Sequence, residues 1–133
     1  KKSFEELIRE FKNWVDDSKD KTFAGQNPSF DRDFLNNSFW RVGIDFKFAV
    51  RNIDLHSVAY YDHIKRGISI PSKNNHSDLS LDKIAKYVGL PEEPKPHNAL
   101  NGAKFEAESF SRIIHGKKFL PDFEEFKLPE YLK

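Results

Sequence analysis

The chain has 133 residues and a formal net charge of +1, and 38% of its residues are hydrophobic while 32% are charged. This length fits one globular domain or part of one, and the near-neutral charge argues against bulk polyanion binding, which needs several phosphate-neutralising cations on one face. No apolar run approaches the roughly 20 residues of a membrane span and there is no cysteine, so we expect no membrane association, no disulfides or thiolate metal sites, and a cytoplasmic location.

The first predicted element is a helix that starts at Ser3. Ser3 and Glu6 have the spacing of a capping box, in which hydroxyl and carboxylate bind exposed backbone N–H groups. A stripe of apolar residues at helical spacing follows, which we expect to be buried. Its members are Phe4, Leu7, Ile8, Phe11, Trp14 and Val15. The start at Lys1-Lys2 and the absence of methionine lead us to expect a fragment of a longer protein.

A strand and a second helix follow. Residues 22–25 are predicted to form the strand, after which Asn27 can cap a helix that runs to about Arg41 and ends at Gly43. Asp31 falls in the first turn of this helix, where the helix dipole favours a negative charge. Asp31 therefore has two interpretations: a carboxylate that stabilises its own helix, or a metal ligand just past a strand-to-helix turn.

The middle of the chain predicts a strand, a helix, a loop and a short helix. Residues 46–53 partly alternate, as in a short strand, and Asp54 can cap the helix that follows. Residues 67–78 are rich in Ser, Asn, Lys and Pro and are predicted to form an exposed loop. Ser80 can cap a short helix that reaches Val88.

The last long helix is predicted to start at His97 and to end at Gly116. Its spacing predicts that Lys104, Glu106, Glu108 and Arg112 mostly face outward and that one apolar face is buried. The residues expected on that face are Leu100, Ala103, Ala107, Phe110 and Ile114. We expect a domain over residues 1–116 and an apolar tail over residues 117–133 that packs on the domain or on a partner.

Two separated motifs carry a resemblance to a known family. Asn27-Pro28-Ser29-Phe30-Asp31 resembles the N-x-x-F-D motif, and residues 97–103 resemble the H-x-A-L-x-D-A motif, of the DnaQ-like 3′-to-5′ exonucleases with a catalytic histidine. Gly102 stands where the second motif has aspartate, and no strand region with the family's first motif, D-x-E, precedes Ser3. The resemblance implies an α/β fold of the ribonuclease H-like exonuclease type, incomplete because its first strands are missing, with helices packed on a small mixed sheet.

The resemblance also implies a chemistry. Family members remove nucleotides from a nucleic-acid 3′ end with two divalent cations, Mg²⁺ or Mn²⁺, which flank the scissile phosphate. By resemblance, Asp31 is the metal ligand, His97 is the general base, and Asn27 and Phe30 contact the terminal nucleotide. The implied partners are the 3′ end of DNA or RNA and a polymerase or a second copy of the chain.

Three readings of the function stay open at this point, the third being a generic α/β domain in which the two motifs match by chance. In the first, the parent protein is a 3′-to-5′ exonuclease, although we expect this chain alone to be inactive or very weak, since one matched carboxylate cannot hold two hydrated Mg²⁺ ions firmly. In the second, the protein is a degenerate, non-catalytic module of the same fold that binds nucleic acid or another protein. Gly102 and the apolar tail favour the second reading.

Overall fold

A computed structural model describes residues 1–133, which divide into two compact units, residues 1–53 and 54–133. Most of the regular structure is helical. The five helices are α1 (Phe4–Asp16), α2 (Pro28–Arg41), α3 (Leu55–Arg66), α4 (Leu81–Tyr87) and α5 (Ala99–His115). None of them combines the length and the hydropathy that a membrane span requires.

The strands are short and form two separate two-stranded sheets. One sheet joins β1 (Phe23–Gly25) to β2 (Asn52–Asp54), and the other joins β3 (Ser72–Lys73) to β4 (His76–Ser77). Two short 3-10 turns follow α5, at Pro121–Phe123 and Glu130–Leu132. The chain is thus mixed α/β, as predicted at that coarse level.

Helix α1 begins with the predicted capping box but buries only part of its apolar stripe. Ser3 Oγ accepts from the N–H of Glu6, and the Glu6 carboxylate accepts from the N–H of Ser3. Ile8 and Val15 are buried, whereas Trp14 is 66% exposed. Phe4 and Leu7 are also exposed, so the prediction of a fully buried stripe is wrong, because the core of the first unit covers only one edge of it.

The core of the first unit is an aromatic cluster around Phe39, which is completely buried. The ring of Phe39 lies 5.3 Å from that of Phe46 and 6.1 Å from that of Phe48, between centroids. The predicted strand over residues 46–53 is wrong for residues 46–51, and only β2 forms. The Asn36 side chain binds both the N–H and the C=O of Phe48, at 2.7 and 3.2 Å, and so satisfies groups that a strand partner would otherwise bind.

The core of the second unit lies between α3, α4 and α5. The predicted N-terminal caps of α3 and α4 are confirmed. Asp54 accepts from the N–H groups of His56 and Ser57, and Ser80 Oγ accepts from the N–H of Lys83. The buried apolar side chains of this unit form one cluster: Leu55, Ala59, Leu79, Ile84, Ala85, Val88, Leu90, Phe105, Ile113, Phe123 and Leu132.

Part of the predicted loop over residues 67–78 is a β-hairpin. Ser72 pairs with Ser77 and Lys73 with His76. Asn74 and Asn75 form the turn, and both have positive φ, 50° and 62°. Two consecutive residues with positive φ suit the type I′ turn that matches the twist of a hairpin, and asparagine tolerates that conformation.

Helix α5 begins two residues later than predicted and presents a different face to the core. Asn98 is the N-cap, and its side chain accepts from the N–H of Asn101. Leu100, predicted to be buried, is 67% exposed, whereas Glu108 and Arg112, predicted to face outward, are completely buried. The predicted inner face is therefore wrong for Leu100 and Ile114, which are exposed, whereas Phe110 packs against the core.

The buried charges of α5 bind the backbone of the segment after Gly116. Arg112 Nη2 donates to the carbonyls of Phe123 and Phe126, at 3.2 and 3.0 Å. Glu108 Oε2 accepts from the N–H groups of Phe119 and Leu120, at 3.0 and 2.8 Å. These contacts compensate for removing the charges from water, and residues 117–133 lie within the second unit.

Candidate active site

The first group of candidate residues lies in the first unit, in the turn from β1 into α2. Asn27 occupies the N-cap position in a left-handed conformation, φ 52°, and its side chain does not cap the helix, so the predicted cap is wrong. Pro28 takes the first helical position, where a missing N–H costs no hydrogen bond. The turn is tied to β2 because Asn52 Nδ2 donates to Ser29 Oγ at 3.0 Å.

Two further candidate residues lie in the first turn of α2. Phe30 is 72% exposed, and Asp31 is exposed as well. The neighbouring Asp33 accepts from Arg32 at 2.8 Å, whereas Asp31 has no ion pair. Asn27, Phe30 and Asp31 thus lie together on one exposed turn. There the unpaired carboxylate of Asp31 can bind a cation, and the exposed ring of Phe30 can stack on a nucleobase.

A separate candidate residue, in the second unit, is His97, which precedes the cap of α5. Its side chain is 57% exposed, and Nδ1 lies 2.8 Å from Glu93 Oε2. The side chain of Glu93 is only 9% exposed. A largely buried carboxylate therefore holds one nitrogen of an imidazole whose other nitrogen, Nε2, has no protein partner.

A surface cavity of about 590 Å³ adjoins His97, within the second unit. Its charged lining combines lysines with acidic side chains. The residues that line it are Asp82, Lys83, Lys86, Leu90, Pro91, Glu92, Glu93, Lys95 and His97. Lys83 donates to Asp78, which lowers the pKa of that carboxyl, so Lys86 and Lys95 are the lysines of the cavity without an acidic partner.

Gly102 lies in the first turns of α5, where its N–H donates to the carbonyl of Asn98 at 3.1 Å. A Cβ at this position would meet no atom within 4 Å. Its φ lies outside the left-handed region that favours glycine. Nothing in the surroundings of Gly102 therefore requires glycine.

The residues of the chain do not form a two-cation site. No group of three or more His, Asp or Glu side chains converges so that it could hold a metal ion. Asp31 belongs to the first unit and His97 to the second. Asp31 could supply one oxygen ligand, but a divalent cation such as Mg²⁺ draws on several oxygen ligands, and the remaining ones are not provided beside it.

Sequence reasoning did not identify Glu93. A weak signal was present, because Glu93 precedes His97 by four residues. That spacing brings side chains together on a helix, but residues 91–98 are not helical. Only the path of the proline-rich segment brings this carboxylate to the imidazole.

Comparison with known proteins gives one informative similarity. The chain is 31% identical over 108 residues to the 3′-5′ DNA exonuclease Cap18 of Escherichia coli. The aligned region covers 78% of this chain and 52% of Cap18, so the chain spans about half the length of that relative. No protein-family model matches the chain, and no solved structure matches it. The similarity supports an exonuclease-like family at most.

Proposed function

We propose that the chain is part of a 3′-to-5′ exonuclease that hydrolyses phosphodiester bonds at the 3′ end of DNA. The observation that carries this proposal is the 31% identity to a 3′-5′ DNA exonuclease over 108 residues. The two family-like motifs, Asn27 to Asp31 and His97 to Ala103, add to it. The finer assignment, a DnaQ-like enzyme of the ribonuclease H-like fold, rests on those motifs, and a cytoplasmic location rests on the lack of cysteine.

In this proposal His97 is the general base. Its imidazole accepts a proton from the attacking water, whose oxygen bonds to phosphorus while the bond to the 3′ oxygen of the preceding nucleotide breaks, and that oxygen takes a proton from solvent and becomes the new 3′ hydroxyl. The exposure of the ring and the lack of a protein partner at Nε2 support this role. A histidine base suits neutral pH because imidazole titrates near it.

The turn at the start of α2 would hold the 3′-terminal nucleotide. Phe30 would stack on a base, which is worth about 1–3 kcal/mol per base in single-strand binding, and Asn27 would help to place the nucleotide. Asp31 would contribute one ligand to Mg²⁺ or Mn²⁺. The other ligands would come from outside residues 1–133, since these residues form no metal cluster, and a polymerase or a second copy of the chain would be the protein partner.

The test is nucleotide release from a single-stranded DNA oligonucleotide labelled at its 3′ end, in Mn²⁺. It compares the 133-residue chain with the longest natural form of the protein that contains it. We expect release by the longer form and none, or very little, by the chain alone. His97→Ala in the longer form should lower the rate by about 10²-fold or more, as expected for loss of a general base.

His115→Ala is the matched control, because His115 is an exposed histidine of the same unit, at the far end of α5. It should leave the rate unchanged. Equal rates for wild type and His97→Ala would contradict the role of His97. An inactive longer form, with folding confirmed by circular dichroism, would contradict the exonuclease itself.

The second candidate function is a degenerate, non-catalytic module of the same family. Gly102 favours it, because a Cβ at this position would meet no atom within 4 Å and yet the aspartate of the motif is absent. DNA binding by the longer form without any nucleotide release would support this function over the first.

A further inference from the structure

The segment before α5 brings the carboxylate of Glu93 within hydrogen-bond distance of His97, the candidate base. Glu93 Oε2 lies 2.8 Å from His97 Nδ1, a distance typical of a charge-assisted hydrogen bond. The two residues belong to the same unit, and their bond spans only four residues of non-helical chain. The contact is therefore local.

The two side chains differ in exposure in a way that suits a fixed base. Glu93 is 9% exposed and His97 is 57% exposed. The carboxylate is thus held against the protein, while the imidazole projects from it toward solvent and the cavity. An ionised carboxylate can only accept hydrogen bonds, so Nδ1 of His97 must carry a hydrogen and donate the hydrogen bond to Glu93. Nε2 then bears the lone pair, which is the form that a general base needs.

The backbone limits how far the pair can separate. Pro94 and Pro96 lie between Glu93 and His97, and each fixes its own φ near −65°. Asn98 then caps α5 through the N–H of Asn101. His97 is therefore held between a stiff segment and the start of a helix, so less conformational entropy is lost when the pair forms.

Other charged groups face the cavity, but none replaces Glu93. The charged side chains of the lining besides the pair are Asp82, Lys83, Lys86, Glu92 and Lys95. Lys83 is engaged with Asp78. No hydrogen bond joins His97 to any of these groups, whereas Glu93 binds it directly.

We propose that Glu93 is a positioning residue for His97: it fixes the imidazole as the Nδ1–H tautomer, with Nε2 directed to the substrate. This inference rests on the proposed exonuclease function, because it assigns Glu93 a part in that reaction. The bond also stabilises the imidazolium that forms when Nε2 takes the proton, as a buried carboxylate does for a catalytic histidine elsewhere.

The first arm of the test needs no activity. Nitrogen-15 NMR of the histidine rings in the 133-residue chain, at a pH where His97 is neutral, reports which nitrogen carries the proton. We expect His97 to be the Nδ1–H tautomer in the wild type and to shift toward the Nε2–H tautomer in Glu93→Ala. Glu92→Ala is the matched control, since Glu92 is the adjacent glutamate of the same cavity lining, and it should leave the tautomer unchanged. An identical His97 spectrum in wild type and Glu93→Ala would overturn the inference whether or not the protein is a nuclease.

The second arm measures nucleotide release by the longest natural form. Glu93→Gln should lower kcat by roughly 10- to 100-fold, the range found when a carboxylate that orients a functional histidine is changed, and should leave KM nearly unchanged because the substrate contacts remain. Unchanged kcat in Glu93→Gln, alongside loss of activity in His97→Ala, would overturn the inference while leaving the exonuclease intact. No release by wild type would overturn the exonuclease and the catalytic role of Glu93 together, and the tautomer result would still show whether Glu93 orients the ring.

Discussion

Glu108 and Arg112 form a completely buried ion pair one turn apart in α5, with 2.7 Å between Arg112 Nε and Glu108 Oε1. Each partner also binds backbone groups of residues 117–133. Arg112 donates to three carbonyls of this segment and also to the carbonyl of Val88, and Glu108 accepts from two N–H groups of the segment. The pair therefore fixes the path of the last segment of the chain, as a core cluster would.

The first prediction is that breaking this pair is far more harmful than breaking a surface pair. Arg112→Ala leaves Glu108 as an uncompensated buried charge and removes the donors of four carbonyls. It should lower the free energy of unfolding by about 3–5 kcal/mol. Urea unfolding followed by circular dichroism measures this. The control is Lys104→Ala, a change in the same helix, which removes the exposed pair between Lys104 and Asp122 and should cost at most about 1 kcal/mol. Similar losses for the two variants would contradict the structural role of the pair.

The second prediction concerns Gly102. Because a Cβ meets no neighbour there, Gly102→Ala should stabilise α5 by up to about 1 kcal/mol through helix propensity. Gly102→Asp should stabilise α5 by only a few tenths of a kcal/mol, with help from the helix dipole. Only the aspartate supplies the carboxylate of the motif that residues 97–103 resemble, so under the proposed function only Gly102→Asp should raise Mn²⁺-dependent nucleotide release by the longest natural form. Equal rates in the two variants would indicate that this carboxylate has no role.

The third prediction is a loss of stability at alkaline pH that depends on Tyr87. Burial, and then the hydrogen bond to Asp62 at 2.7 Å, raise the pKa of the Tyr87 phenol above its ordinary value of about 10. A raised folded pKa contributes stability that is fully present below pH about 10 and is lost as the pH rises above it. Tyr87→Phe should therefore weaken the alkaline decline in the free energy of unfolding and remove a late phase from the tyrosinate absorbance titration. Tyr61→Phe, at an exposed tyrosine of α3, should keep both; an unchanged late phase in Tyr87→Phe would contradict the assignment.

The fourth prediction separates binding from stability at Phe30. Since its ring is 72% exposed, Phe30→Ala should change the free energy of unfolding by less than about 0.5 kcal/mol. It should nevertheless weaken binding of a single-stranded DNA 3′ end by about 1–3 kcal/mol, the value of one stacked base. Fluorescence anisotropy with a labelled oligonucleotide measures this. Trp40→Ala, at an exposed aromatic residue near the other end of α2, is the control, and an equal effect of both variants would argue against a specific contact.

Local signals in the sequence predicted the helix starts at Ser3, Asp54 and Ser80, because a capping side chain acts on backbone groups two or three residues away. The same holds for the helix ends next to Gly43 and Gly116, where both glycines have positive φ. These features depend on neighbours in the sequence, so periodicity and capping rules suffice for them.

The features that sequence reasoning missed depend on distant partners. The burial of Glu108 and Arg112 follows from backbone groups after Gly116, which no helical pattern can anticipate. Residues 46–49 alternate in burial like a strand, but the side chain of Asn36 binds the backbone of Phe48 in place of a strand. Among the candidate functional residues, Asp31 and His97 were predicted from the family resemblance. Glu93 was not predicted, because only the three-dimensional path of the proline-rich segment brings it to His97.

The two units of the chain also contain different aromatic chromophores. Both tryptophans, Trp14 and Trp40, lie in residues 1–53, whereas all four tyrosines lie in residues 54–133: Tyr60, Tyr61, Tyr87 and Tyr131. Excitation at the red edge of the absorption band, where tyrosine does not absorb, therefore monitors the first unit alone. Tyrosine absorbance, once the tryptophan contribution is subtracted, monitors the second. A single unlabelled sample thus carries a separate intrinsic optical reporter for each unit, and coincidence of the two denaturation curves would show that the units unfold as one cooperative body.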